Sequence, residues 1–347
     1  MTVKYGKPMA GVMPFKELFF NENEKMLKWG AAALALYKQQ PKRTGCKLCS
    51  TPLPKEFYVK SHGFAFYLCG ECGHLNGEFE ETDAYNRNFF VLPESKISDM
   101  YHVESQIKFD ERTDKIYVPK VQFIIDSLAE TGVNVAALQY LDVGAGSGYM
   151  VAAMRKKRLA ASGVEVSAPQ VALANTMIPA PQAVRVCDPS DIVQIALTEE
   201  ADVLTFIGVL EHIPNLQAVL QAITQNKSVK YMFFSVPCLA FSNAIEAVFP
   251  QVFGRHMGHG HTHAFSNRSL EWMYKNYGFE PIAEWRFGGD IMDLYRSIMV
   301  SLKENTDENF MRMIADFFQE NGDALQLIID KAGLSSEIHV LVKNAGA

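Results

Sequence analysis

The 347 residues are 48% hydrophobic and 21% charged, the make-up of a globular chain with length for roughly two domains, which excludes disordered, collagen-like and low-complexity architectures. Thirty-nine Asp and Glu against 33 Lys and Arg give a formal charge of -6, the wrong sign for a protein that lives on phosphate contacts, so nucleic acid is not an expected partner. The apolar run Trp29 to Tyr37 falls short of the roughly 20 residues that span a bilayer, and residues 1–15 lack an apolar core with a cleavage site, so a membrane is not expected either and the cytoplasm is the expected compartment.

In chain order, residues 1–41 read as a helical segment, with Leu18, Phe19, Met26, Trp29, Ala33, Leu36 and Tyr37 recurring at three- and four-residue spacing from Phe15 to about Gln40, where Pro41 stops the pattern. Its apolar stripe is a candidate packing face for an oligomer. Residues 42–80 change texture to Cys, Gly, Pro and short aromatic runs, Phe57 to Val59 and Phe64 to Tyr67, which predict small hairpin strands. Here Cys46, Cys49, Cys69 and Cys72 form two Cys-x2-Cys pairs nineteen residues apart, the spacing of a closed tetrathiolate zinc site, with Gly45, Gly70 and Gly73 placed for knuckle turns. A redox dithiol is the weaker reading, because such a pair follows a strand and opens a helix. So short a segment cannot bury a core of its own, and a structural Zn2+ would supply its folding free energy. Cys187 and Cys238 are left as core thiols.

Residues 81–118 are a polar connecting segment in which Tyr101, His102 and Tyr117 could form a lid. From residue 119 to 347, strands alternate with helices. Strands are expected at 139–143, 163–166, 184–187, 202–207, 230–236, 279–285 and 337–343, and the intervening helices imply a mostly parallel sheet covered on both faces. A helical insertion fills about 290–335, with Phe310, Ile314, Phe317 and Phe318 on one face. Arg155 to Arg158 suits the last turn of a helix better than a nucleic-acid patch.

Between the first of these strands and its helix stands Leu141-Asp-Val-Gly-Ala-Gly-Ser-Gly148. Glycines there let a ligand reach the backbone, and the helix start offers free N–H donors. Tyr149 breaks the G-x-G-x-x-G pattern of dinucleotide binders. Glu165, twenty-one residues past Gly144 at the end of the next strand, is placed to accept both hydroxyls of a ribose. Ser167 to Gln170 reads as a capping box with Pro169 in the first turn.

Asp142 to Gly148, Glu165, Cys187-Asp188 and Gly208-Val-Leu-Glu-His-Ile213 together resemble class I S-adenosylmethionine-dependent methyltransferases over about residues 120 to 347. The resemblance implies an α/β fold with a seven-stranded, mostly parallel Rossmann-like methyltransferase sheet behind a small N-terminal zinc module. It implies that Asp142, Gly144, Ala145, Gly146 and Gly148 line the methionine end of the cofactor, that Glu165 and Val166 hold the ribose, that Asp188 faces the adenine, and that Gly208 and Val209 line the sulfonium end. With four cysteines ahead of it, the chain resembles the zinc-containing sugar C-methyltransferases, without their additional C-terminal domain. A small polar acceptor, a nucleotide-linked or polysaccharide sugar methylated at oxygen or carbon, is therefore expected. An RNA base methyltransferase with a zinc module, and a noncatalytic cofactor-binding interaction module, are the alternatives.

Chemistry needs a base near the strand ends. His212 is the first candidate, with Glu211 orienting the imidazole or holding substrate, although an Glu-His pair in this position can also simply shape the site. The glycine-broken loop Arg255 to His263 supplies the second, His261 with His263. The same loop could instead be solvated surface, or hold a metal through His259, His261 and His263. Arg255 could pair with an acidic group of the acceptor, and Asp290 and Arg296, after the Phe287 to Asp290 turn, could contact it.

Overall fold

The computed structural model describes residues 1–8, 17–86, 88, 105–179, 182–258, 260–303 and 305–347. Tyr101, His102 and His259, like the expected helix start at Phe15, lie outside them. The strands are β1 (Thr2–Tyr5), β2 (Val59–Ser61), β3 (Phe64–Leu68), β4 (Leu75–Gly77), β5 (Gln139–Val143), β6 (Ala160–Glu165), β7 (Val184–Val186), β8 (Val203–Ile207), β9 (Tyr231–Pro237), β10 (His263–Ala264), β11 (Phe279–Phe287) and β12 (Glu337–Asn344).

The main sheet runs β7-β6-β5-β8-β9-β12-β11-β1 and only β12 lies antiparallel to its neighbours. It has eight strands, not seven: β1, in the segment expected to be helical, adds in parallel to β11. Its four residues are mostly exposed, and the alternation of Val3 and Tyr5 with Thr2 and Lys4 is too short to announce a strand. The central strands show why both faces are covered. Leu204, Phe206, Met232, Phe234 and Val236 enter the core on one face, while Val203, Tyr231 and Phe233 enter the core on the other. Period-two alternation of apolar residues on both sides demands helices on both sides.

Helices Glu17–Asn21 and Asn23–Tyr37 replace the single N-terminal helix, and the insertion forms Asp290–Leu302 and Glu308–Lys331. The expected apolar face of the insertion is only partly packed: Phe318 is buried, but Phe310 and Phe317 are 43% and 49% exposed. No helix among the described residues is long and apolar enough to cross a membrane.

Helix Asn267–Tyr277 ends at Gly278 in the left-handed region (φ 74°), whose N–H bonds Tyr274 O, and β11 starts at the next residue. A Cβ at Gly278 would meet nothing within 4 Å, so only the backbone conformation resists substitution. Gly278→Ala is expected to cost about 1 kcal/mol in a urea melt; an unchanged midpoint would contradict this origin of the helix stop.

The second sheet runs β10-β4-β3-β2. Three strands come from the cysteine segment and the fourth from the histidine loop, His263 pairing with Asn76 and Ala264 with Leu75. Cys46, Leu48, Cys69 and Cys72 belong to the same buried cluster as helices Leu216–Gln225 and Asn267–Tyr277. The segment thus completes its core on the large sheet's helices. Of its expected knuckle glycines only Gly73 has positive φ (73°); the first knuckle uses Ser50 (62°).

Candidate active site

The carboxyl ends of β5, β6, β7 and β8 line one edge of the sheet. At the end of β5, Gly144, Gly146 and Gly148 all have positive φ (73°, 52° and 80°). A Cβ at Gly144 would lie 2.5 Å from Val209 Cγ2, and one at Gly146 would lie 2.9 Å from Gln170 Oε1. Tyr149 opens the next helix and stacks between Phe109 (4.6 Å) and Tyr117 (5.2 Å), with Arg112 over its ring. The described part of the expected lid therefore braces the glycine turn through Tyr149.

Glu165 Oε2 accepts from Gly146 N and Oε1 from Ser167 N, both at 2.8 Å. This corrects the capping box. Ser167 makes no side-chain cap, and Gln170 sits over Gly146 instead. Burial raises the Glu165 carboxyl against these two donors. Ser147 Oγ is buried in the turn with no partner among the described residues. Asp188, at the end of β7 as expected, accepts from Ser190 N and Oγ and caps a short turn. Val166 follows Glu165 at the strand end.

Asp142 is 2% exposed and accepts from Thr205 Oγ1 at 2.6 Å, yet burial pushes it up to about 7. Unfolded Asp titrates near 3.9, so between about pH 4 and 7 the folded state keeps a proton that the unfolded chain has lost. Its share of stability is fully present below that window and falls as pH rises through it. Urea melts at pH 5 and pH 8 should show wild type losing on the order of 2 kcal/mol more than Asp142→Asn; parallel losses would contradict the assignment.

At the end of β8, Gly208 (φ 67°) donates to Ser235 Oγ at 2.9 Å, and a Cβ there would stand 3.6 Å from Glu211 Oε1. Glu211 is 2% exposed and its Oε2 has no partner among the described residues. Of the two roles expected for Glu211, orienting the imidazole or holding substrate, the first is filled at Nδ1 by the backbone: His212 Nδ1 is held by Gly260 O at 2.9 Å. His261 Nδ1 is held by His256 O at 2.8 Å, its Nε2 lies 4.0 Å from Glu211 Oε1, and its ring stacks 5.2 Å from His212. Gly258 and His261 exchange both backbone hydrogen bonds, and this tight turn delivers His261 to the strand edge.

His263 is elsewhere. Once the loop leaves that turn it becomes β10, and His263 Nδ1 meets His74 Nε2 at 2.9 Å in full burial. The expected His261–His263 pair is therefore split, and with it the His259–His261–His263 metal set. Arg255 is taken by the protein itself, a bidentate pair with Asp293 at 2.9 and 3.0 Å. Asp290 is fully buried, accepting from Ser242, Gln326 and Ser336, and buried Arg296 donates to Phe253 O. None of the three is available to an acceptor.

The cysteines converge. Their four sulfurs lie within 4.8 Å of one another, with 3.5 Å for Cys46–Cys72 and for Cys49–Cys69, and Asn76 Nδ2 points at Cys46 Sγ. Four converging thiols form a donor set suited to a tetrahedral soft or borderline ion, and the Asn76 amide is a donor that suits a thiolate at Cys46. Cys238 is buried and Cys187 only half-buried. What sequence reasoning missed is the link from this module to the histidine loop. Glu81 bonds Lys47 Nζ (3.0 Å), Arg43 (2.6 Å) and Thr262 Oγ1 in full burial. Burial would raise its carboxyl, but Lys47 and Arg43 win and hold it at about 2. Glu81 lies in a polar connector, and no local spacing signals its role.

A model of the methyltransferase domain family matches residues 109–284, half of the chain, spanning the glycine turn, Glu165 and the Glu211–His212 turn. The chain belongs to the methyltransferase domain family. It is an enzyme of S-adenosylmethionine-dependent methyl transfer. Among solved structures, the methyltransferase is similar to the magnesium protoporphyrin IX methyltransferase of Synechocystis PCC 6803 with bound S-adenosylhomocysteine, at 11% identity and TM-score 0.46, covering 76% of this chain and 99% of that one. It is also similar to an S-adenosylmethionine-dependent methyltransferase of Archaeoglobus fulgidus, at 14% identity and TM-score 0.39, covering 64% and 94%. A comparison with curated proteins finds no match.

Proposed function

We propose that the methyltransferase methylates a small polar acceptor, a nucleotide-linked or polysaccharide sugar, at oxygen or carbon, and that its four cysteines hold one structural Zn2+. The observation that carries the acceptor side is the cluster of Glu211, His212 and His261 beside Gly208, at the strand edge where ligands bind in open α/β sheets. S-adenosylmethionine, when bound, supplies a methyl group already activated on a sulfonium. The chain's residues do the rest. Glu165 would take the ribose hydroxyls with the second lone pairs of the oxygens that already order Gly146 and Ser167. The bare faces of Gly144 and Gly146 and the unpartnered Ser147 hydroxyl suit the amino-acid end, Gly208 and Val209 suit the sulfur, and Asp188 suits the adenine.

Glu211, His212 and His261 offer acceptors, so they draw a hydroxyl or an acidified C–H of the substrate toward the edge and orient it for in-line attack. The sugar is supported by the resemblance of the four-cysteine segment plus methyltransferase arrangement, and a charge of -6 favours it over RNA. The test is release of S-adenosylhomocysteine with a panel of nucleoside-diphosphate sugars, oligosaccharides and RNA. Turnover with a sugar supports the reading; turnover with RNA alone, or with no member while cell extract is also inert, overturns it.

A further inference from the structure

Two imidazoles and a buried carboxylate converge at this strand edge, and the detail of each is informative. Carbonyl oxygens can only accept, so Gly260 O and His256 O fix Nδ1 of His212 and His261 as the protonated nitrogen and leave Nε2 of each ring as the basic one. That backbone clamp on the far nitrogen is how metal-ligating histidines are set in tautomer and orientation. The third member, Glu211, is buried with Oε2 unpartnered among the described residues, a costly state for a carboxylate unless a cation or proton sits beside it. One atom from each of the three lies within 4.8 Å of the others, against roughly 3 to 3.5 Å between neighbouring ligands around an ion with bonds of about 2.1 Å, so small side-chain rotations close the site.

We propose that Glu211, His212 and His261 bind a divalent cation, distinct from the ion of the four cysteines. Two imidazoles and one carboxylate select a borderline ion such as Zn2+, Mn2+, Fe2+ or Co2+ over Mg2+, and three protein ligands leave coordination positions open. Both imidazoles are partly exposed, His261 with 34% of its side chain, while Glu211 is buried, so the open positions face the side from which an acceptor arrives. This deepens the methyl-transfer reading and rests on it for the occupant of those positions: an acceptor hydroxyl oxygen, held as a ligand beside Gly208. The structure also explains why the ligands come from two distant turns. His212 follows β8 directly, and His261 is brought to it by the Gly258–His261 turn, itself tied to His212 through Gly260 O.

The experiment uses full-length, zinc-replete protein cleared of loosely held ions with a weak chelator. Mn2+, whose taste for oxygen and nitrogen keeps it off four thiolates, is titrated and the free-ion paramagnetic resonance signal followed. Saturable uptake of about one equivalent is expected, weakened tenfold or more in Glu211→Gln and in His261→Asn. The second variant is half-exposed enough to fold if the first does not. S-adenosylhomocysteine binding is measured on the same samples, with Glu165→Ala as the converse control that should lose the cofactor and keep the ion. Cofactor binding with no saturable Mn2+ or Zn2+ uptake, or uptake unchanged in both variants, overturns the cation site alone. Ion uptake without cofactor binding in wild type overturns the methyl-transfer reading instead.

Discussion

Cys72→Ser should leave the whole protein unable to fold stably, not merely the cysteine segment. A structural Zn2+ contributes on the order of 10 kcal/mol of folding free energy, comparable with the entire stability of an ordinary domain. Here that loss is not confined. Methyltransferase helices hold the knuckle backbone directly: Ser266 Oγ donates to Gly73 O, Arg268 to Gly70 O, Tyr277 to Leu48 O and Gln217 to Lys47 O. Cys46, Cys69 and Cys72 are also walls of the main core. Elemental analysis should find about one tightly held zinc in wild type, and Cys72→Ser should lose it together with the cooperative thermal transition followed by circular dichroism. Cys187→Ser, outside the cluster, should keep both. A Cys72→Ser protein that melts like wild type would show that the sulfurs are ordinary core thiols.

The second large effect belongs to Glu165. Removing its carboxylate strands two backbone donors, Gly146 N and Ser167 N, and deletes the proposed ribose acceptor at a stroke. Hydrogen bonds to a charged partner are worth about 1.5 to 3 kcal/mol each, so Glu165→Ala should weaken S-adenosylhomocysteine by about 100-fold or more in calorimetry. Glu165→Gln keeps one oxygen but turns the other into a donor facing an N–H, and should fall near the alanine variant. Affinity within a factor of two of wild type in both would mean that the carboxylate only braces the turn.

The glycine turn and the alternating strands were legible because their signals are local: apolar period two, bare backbone at three positions, a carboxylate one strand later. The cysteine quartet was legible for the same reason. What escaped is non-local. Thr2 to Tyr5 alternate for only four residues, too few to distinguish an edge strand from a frayed terminus, and they pair with residues about 280 positions later. Ser167 has the spacing of a cap, but Glu165 two residues earlier captures its N–H first. Arg255, Asp290 and Arg296 carry the residue types of an acceptor site; only the fold reveals that each finds its partner inside the protein. His261 and His263 are neighbours in sequence, and a turn followed by a strand sends them to different neighbours.

That strand, β10, joins groups 189 positions apart, His263 on the histidine loop and His74 in the cysteine module. The loop over the candidate acceptor site and the cysteine-module sheet are consequently one cassette in terms of exchange between relatives. Grafting a different histidine loop alone would leave β4 without β10 on its outer edge and Glu81 without Thr262. New acceptor preference can be moved into this scaffold only as a pair of segments, the loop from 255 to 265 together with the cysteine module through residue 81.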